Sequence, residues 1–101
     1  MEPKELELTI KEGEGLTVEF KEKYTPNIDR DMVAFSNSKG GHLILGVTDR
    51  GEIVGETLTN NLKAVITDLA RKCKPSIHLR KIQQSGRLIT IEIHGRRRKT
   101  I

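Results

Sequence analysis

The sequence predicts a two-layer α+β domain, a mixed β-sheet carrying two helices. Three observations predict it. Residues 28–35 and 62–73 place apolar side chains at helical spacing. Residues 16–21, 42–48, 77–82 and 88–93 either alternate as half-buried strands do or are apolar on both parities. Glycine and proline punctuate the boundaries between these segments. The resulting order of strand, helix, hairpin, helix, hairpin closes as a sheet with helices packed against it.

Taken in order, residues 4–13 mix acids with Leu6, Leu8 and Ile10. The period of two favours a strand, whereas the Glu and Lys content suits a helix, and both assignments stand. Gly13-Glu14-Gly15 is a break. Leu16, Val18 and Phe20 then alternate with Thr17, Glu19 and Lys21 as a half-buried strand. Pro26 fits a turn or helix entry, and Thr25 or Asn27 is placed to cap the helix that buries Ile28, Met32 and Phe35, with Val33 beside them. Gly40-Gly41 stops that helix. Leu43, Leu45 and Val47 fall on one face of the next segment, Ile44 and Gly46 on the other, which reads as a central strand covered on both sides. Asp49-Arg50-Gly51 reads as a hairpin turn and Ile53-Val54 as its return strand, closed by Gly55. Thr59 or Asn60 caps the clearest helix, whose stripe is Leu62, Val65, Ile66, Leu69, Ala70 and Cys73. Pro75 stops it. A Gln83-Gln84-Ser85-Gly86 turn joins the last two strands, with Ile89, Ile91 and Ile93 on one face.

The 101 residues suit one domain. Residues 1–95 form that domain and 96–101 a basic C-terminal tail. No apolar run approaches membrane-spanning length. The polar, acidic start does not form a secretory signal, and the single cysteine excludes an internal disulfide and a cysteine-rich zinc site. A cytoplasmic protein is the expectation. The net charge of +4 hides an asymmetry. Residues 1–50 carry 7 Lys/Arg and 10 Asp/Glu, a net of −3, and residues 51–101 carry 11 and 4, a net of +7. A basic half ending in Arg96-Arg97-Arg98-Lys99 attracts phosphate, and equally reads as a solvated tail. With one Tyr, two Phe and no Trp, a stacking platform for single-stranded bases is poorly supported.

Three linked segments carry a resemblance. Glu14-x4-Glu19-Phe20-Lys21, then Ala34-Phe35-x-Asn37-x-x-Gly40-Gly41, then Leu45-Gly46-Val47-x-Asp49-x-Gly51-x-Ile53-Val54-Gly55, resemble the AlbA-like DNA-binding domain of the Schlafen family, over residues 14–93. In bacteria and archaea that domain occurs in proteins described as transcriptional regulators. The resemblance implies an Alba/Schlafen-core-like fold, nucleic-acid binding to DNA or RNA, and assembly as a homodimer or an internally duplicated pair. It also implies a second branch, the metal-dependent endoribonucleases of some animal Schlafen proteins. Their three carboxylates fall on Glu14, Glu19 and Asp49, with Lys21 on an adjacent lysine. Thr48 stands where family members usually have a second acid, and the family domain usually continues past the last strand. The chain has no G-x-x-x-x-G-K-[ST] run to cradle a triphosphate.

Two function classes follow. A binding module holds phosphates through Lys39, Arg71, Lys72, Lys74, Arg80, Arg96, Arg97, Arg98 and Lys99, with no cofactor. A nuclease places Mg²⁺ or Mn²⁺ on Glu14, Glu19 and Asp49, so that the metal activates water and stabilises the developing charge, while Lys21 steadies the phosphate. A protein-interaction domain fits the composition as well and has no motif of its own. Glu19 and Lys21 share a strand face, but Glu14 has the opposite parity and needs a bulge at Gly15 to come round. The same residues also read as an exposed ion pair and a turn aspartate. His42, His78 and His94 lie on three elements without metal-ligand spacing, and Cys73 continues the apolar stripe of its helix.

Overall fold

The computed structural model of the chain describes residues 1–96. Its elements are α1 (Pro3–Glu12), β1 (Val18–Lys21), α2 (Ile28–Ser36), β2 (Gly40–Leu45), α3 (Asn60–Arg71), β3 (Lys81–Ser85) and β4 (Leu88–His94). The sheet order is β1-β2-β4-β3, with β1 parallel to β2 and the other pairs antiparallel. A parallel pair needs a crossover, and α2 supplies it. The α+β class and the mixed sheet are as the sequence predicts.

The sheet is packed on both faces. On one, Leu43 and Leu45 of β2 and Ile89, Ile91 and Ile93 of β4 meet Ile28, Met32 and Phe35 of α2 and Ile66 and Ala70 of α3. On the other, Phe20 and Ile44 meet Leu88, Val47 and Leu6 of α1. Residues 4–13, open between strand and helix, are therefore a third helix. Pro3 opens it, where a missing N–H costs nothing. Gly13 at φ +87° ends it, its N–H bonding Thr9 O at 3.0 Å.

Three local expectations differ from the structure. Val47 leaves the Leu43/Leu45 face for the opposite one, because Gly46 at φ +103° breaks the strand's alternation. The return strand at Ile53-Val54 is reduced to a single bridge between Val47 and Ile53. The Thr48–Glu52 turn is closed by its own bonds instead, Glu52 O accepting from Thr48 N at 2.9 Å and Thr48 Oγ1 from Glu52 N at 3.1 Å. Finally, Gln83 and Gln84 belong to β3, and the hairpin turns on Gly86-Arg87, since Ser85 pairs with Leu88. Residues 77–80 precede the strand. A Gly-containing two-residue loop was the stronger hairpin signal than the glutamine pair.

Candidate functional site

Two charged regions emerge from this fold. The first lies on the open edge of β1. Glu14 does not reach Glu19 through a bulge. Instead Gly15 and Val18 exchange bonds, N to O at 3.0 Å and 3.4 Å, so the chain reverses in a tight turn before β1. Glu14 comes back alongside the strand, and its Oε2 accepts the Phe20 N–H at 2.9 Å. β1 has a single strand neighbour, so this carboxylate occupies a donor that an edge strand otherwise leaves open. The Glu14 carboxyl is also within hydrogen-bonding reach of Glu19.

Lys21 lies on the same strand face as Glu19 and pairs with Asp31 of α2, Nζ to Oδ2 at 3.6 Å. Asp31 belongs to no sequence motif. Its place is visible only once α2 packs back across the sheet. Burial is the main force on Glu19, followed by Glu14 and then Asp31, with Lys21 acting in the opposite sense, and its carboxyl is pushed up to about 7. Two carboxyls at this spacing favour sharing a proton over two negative charges.

Asp49 stands apart from this pair. It is exposed on the turn after β2 and is not among the charges acting on Glu19. Among the described residues, no group of three or more His, Cys, Asp or Glu side chains is arranged to hold a metal ion. The Glu14–Glu19 pair with Lys21 is thus the part of the expected carboxylate site that the fold brings together.

The raised Glu19 carboxyl has a stability consequence. Its folded value lies above the ordinary 4.5, so the folded state holds more protons than the unfolded chain between those values. Stability then falls as pH rises from about 4.5 to about 7 and is level in this respect above that. Glu19→Gln should remove the slope and raise stability at pH 8 by on the order of 1 kcal/mol, a figure discounted for the group's partial exposure. Urea unfolding of both proteins at pH 5 and pH 8 checks it. An equal slope in the variant contradicts the assignment.

The second region is at the end of the sheet where β2 and β3 begin and β4 finishes. Arg96 N donates to Ser36 O at 2.7 Å, tying the exit of β4 to the end of α2. The Arg96 guanidinium donates to Pro75 O and Ser76 O, and Ser76 Oγ donates to Arg71 O at 2.7 Å. The ends of α2, α3 and β4 therefore meet, and Lys39, Arg71, Lys72 and Lys74 stand exposed around that junction. Arg80, also exposed, directly precedes β3 at the same end. Lys72 is paired with Asp68 at 2.9 Å, which raises its ammonium above the usual range. Arg96, expected to open a tail, is fixed by its backbone and side chain. Arg97, Arg98 and Lys99 lie outside the described residues.

The sequence also missed a cluster on the sheet. His42 and Glu92 are directly opposed across β2 and β4, and both histidines face one carboxylate, His42 Nε2 at 3.6 Å and His94 Nε2 at 2.8 Å. A β2–β4 register was the signal needed, and single-strand periodicity does not contain it.

Fold and charge define a small α+β domain with a carboxylate pair on one edge and cations gathered at one end. Residues 14–100 match the family model described as Schlafen, AlbA_2, and the chain belongs to that family. This bears out the resemblance carried by the three segments. No curated protein is significantly similar to the chain. Membership points to a nucleic-acid-related role. Among the described residues, no helix is long and apolar enough to cross a membrane.

Proposed function

We propose that this domain binds DNA or RNA mainly through phosphate contacts, as a module of a transcriptional regulator acting in the cytoplasm. The observation that carries this reading is the junction at Arg96, which joins the end of α2, followed by Lys39, to the end of α3, where Arg71, Lys72 and Lys74 lie. Arg80 adds a cation there. Phe20 and Phe35 are buried, at 1% and 7% exposure, so base stacking on them is not available and the backbone is the natural target. Cations also suit the C-terminal dipole of α3. That effect accounts for Arg71 and Lys72 but not for Lys39 or Arg80. A homodimer, as the family resemblance implies, would set two such ends toward one duplex.

The carboxylate pair supports a second reading, a metal-dependent endonuclease. Glu14 and Glu19 are hard oxygen ligands of the kind Mg²⁺ or Mn²⁺ takes, and a cation would replace the proton the pair favours. Lys21, on the same strand face as Glu19, would meet a phosphate beside them. Asp49 would have to approach from its turn as substrate binds.

One experiment addresses both. Labelled duplex DNA and structured RNA are titrated with the protein from 50 to 300 mM salt, in EDTA and in Mn²⁺. The binding reading expects affinity in EDTA that falls steeply with salt, with a log–log slope of about −0.9 per phosphate neutralised on duplex DNA. Salt-insensitive or absent binding contradicts it. The nuclease reading expects cleavage in Mn²⁺ that Glu19→Ala and Asp49→Ala abolish. Intact RNA with every divalent metal tested ends it.

A further inference from the structure

One face of α3 packs on the sheet through Leu62, Ile66, Leu69 and Ala70. The other face is open. Asn60, Ala64, Thr67 and Arg71 recur there at intervals of four, three and four, a single stripe on the side away from the buried Ile66 and Ala70. Asn60, Ala64 and Arg71 are exposed and Thr67 is half-buried. With Lys63 and Asp68 on the flanks, the four line a shallow depression in which Ala64 is the small residue.

The stripe runs into the cationic junction. Arg71 is the last residue of α3, and its carbonyl accepts the Ser76 hydroxyl, beside the carbonyls that hold Arg96. Residues 60–74 carry four cations, Lys63, Arg71, Lys72 and Lys74, against the single acid Asp68, which Lys72 answers at 2.9 Å. The first turn of α3 holds no acid, whereas those of α1 and α2 do. A helix that meets only water gains from acids there, and one laid on a polyanion loses by them.

The side chains of the stripe suit base edges. An Asn amide pairs with N6 and N7 of adenine, and the methyls of Ala and Thr meet the thymine methyl. Asn60 is not the helix cap, because Thr59 Oγ1 accepts the Leu62 N–H at 3.0 Å. The Thr67 hydroxyl donates to Lys63 O at 2.8 Å, which leaves its lone pairs and its methyl for a base. From Asn60 to Thr67 the helix rises about 10 Å, the length of about three base steps. The major groove of B-form DNA admits a helix, and the deep, narrow major groove of A-form RNA does not.

We infer that α3 is a base-reading helix, its Asn60, Ala64 and Thr67 entering the major groove of duplex DNA while Arg71, Lys74 and Lys39 hold phosphates at its C-terminal end. This rests on the nucleic-acid reading above and goes beyond it by committing the partner to duplex DNA with a short preferred sequence.

The test is selection from a duplex DNA pool randomised over its central 12 base pairs, in EDTA at 0.1 M salt, with sequencing of the bound fraction. Preferred and scrambled duplexes are then titrated by fluorescence anisotropy. The inference expects a preference over about three to four adjacent base pairs that includes A·T pairs, and binding of the preferred duplex at least about tenfold tighter. Asn60→Ala/Thr67→Ala should remove that difference. It should leave the affinity and salt slope of the scrambled duplex unchanged, because no charge is lost. Alanine is the better helix former at both positions, so the variant keeps its fold, which circular dichroism checks. Binding without sequence preference, or a preference the folded variant retains, overturns the inference and leaves the phosphate-binding function standing. Tighter binding to structured RNA than to the preferred duplex does the same. Absence of binding to any duplex or RNA overturns both.

Discussion

Reversing three cations at the junction, Lys39→Glu, Arg71→Glu and Lys74→Glu, should weaken binding to duplex DNA by on the order of 100-fold at 0.1 M salt. These three are chosen because none makes an ion pair among the described residues. Lys72 already answers Asp68, and Arg96 is committed to the carbonyls of Pro75 and Ser76. Removing three phosphate contacts should also flatten the salt slope by about 2.7. The competing explanation is that the cations serve only the α3 dipole and solubility. It expects a stability loss of about 0.3–1 kcal/mol for Arg71 and no change in binding. Thermal unfolding followed by circular dichroism separates the two. Where the glutamate set fails to fold, the glutamine set, neutral at each position, gives the same test with a smaller effect. An unchanged affinity and slope in a folded variant ends the assignment of this end as the binding surface.

Gly46→Ala should destabilise the domain by about 2–4 kcal/mol. Gly46 sits at φ +103°, a conformation that L side chains rarely adopt. A Cβ there would lie 2.9 Å from Glu56 N, 3.0 Å from Gly55 C and 3.1 Å from Leu88 Cδ2. Two of these atoms are backbone and cannot swing away. The backbone is also held on both sides. Gly46 N donates to Lys21 O at 2.7 Å, and Gly46 O accepts from Val54 N and Gly55 N at 2.8 Å each. The residue therefore cannot relax its φ without losing bonds to β1 and to the loop that follows Asp49. Gly13→Ala is the control, because Gly13 has a similar φ of +87° but open space around its Cα. It should cost about 1 kcal/mol, the strain without the clash. Urea unfolding compares them, and equal costs would show that the close approach at Gly46 carries no energy.

Gly46 shows how far a sequence can be read. Its position after an apolar strand marked a break or a close approach, and the family pattern Leu45-Gly46-Val47 made it diagnostic. What periodicity alone assigned, Val47 on the face of Leu43 and Leu45, failed at this residue, because a positive φ reverses which face the next side chain meets. The same limit applies at Gly15. Parity placed Glu14 and Glu19 on opposite sides, and a four-residue turn brought them together.

By itself the sequence determined the helices of Met32 and Ile66, the buried β2 and β4, the α+β class and, through three linked motifs, the family. Each rests on local chemistry: side-chain period, capping and glycine stops act within a few residues. The tertiary structure alone decided which charges meet. Asp31 reaches Lys21 because α2 crosses back over the sheet, and Glu92 joins His42 because β2 and β4 pair in one register. The ends of α2, α3 and β4 close on Arg96 because the carbonyls of Ser36, at the end of α2, and of Pro75 and Ser76, after α3, accept its N–H groups. Electrostatic interaction depends on distance in space, and for residues tens of positions apart that distance is set by packing and strand register.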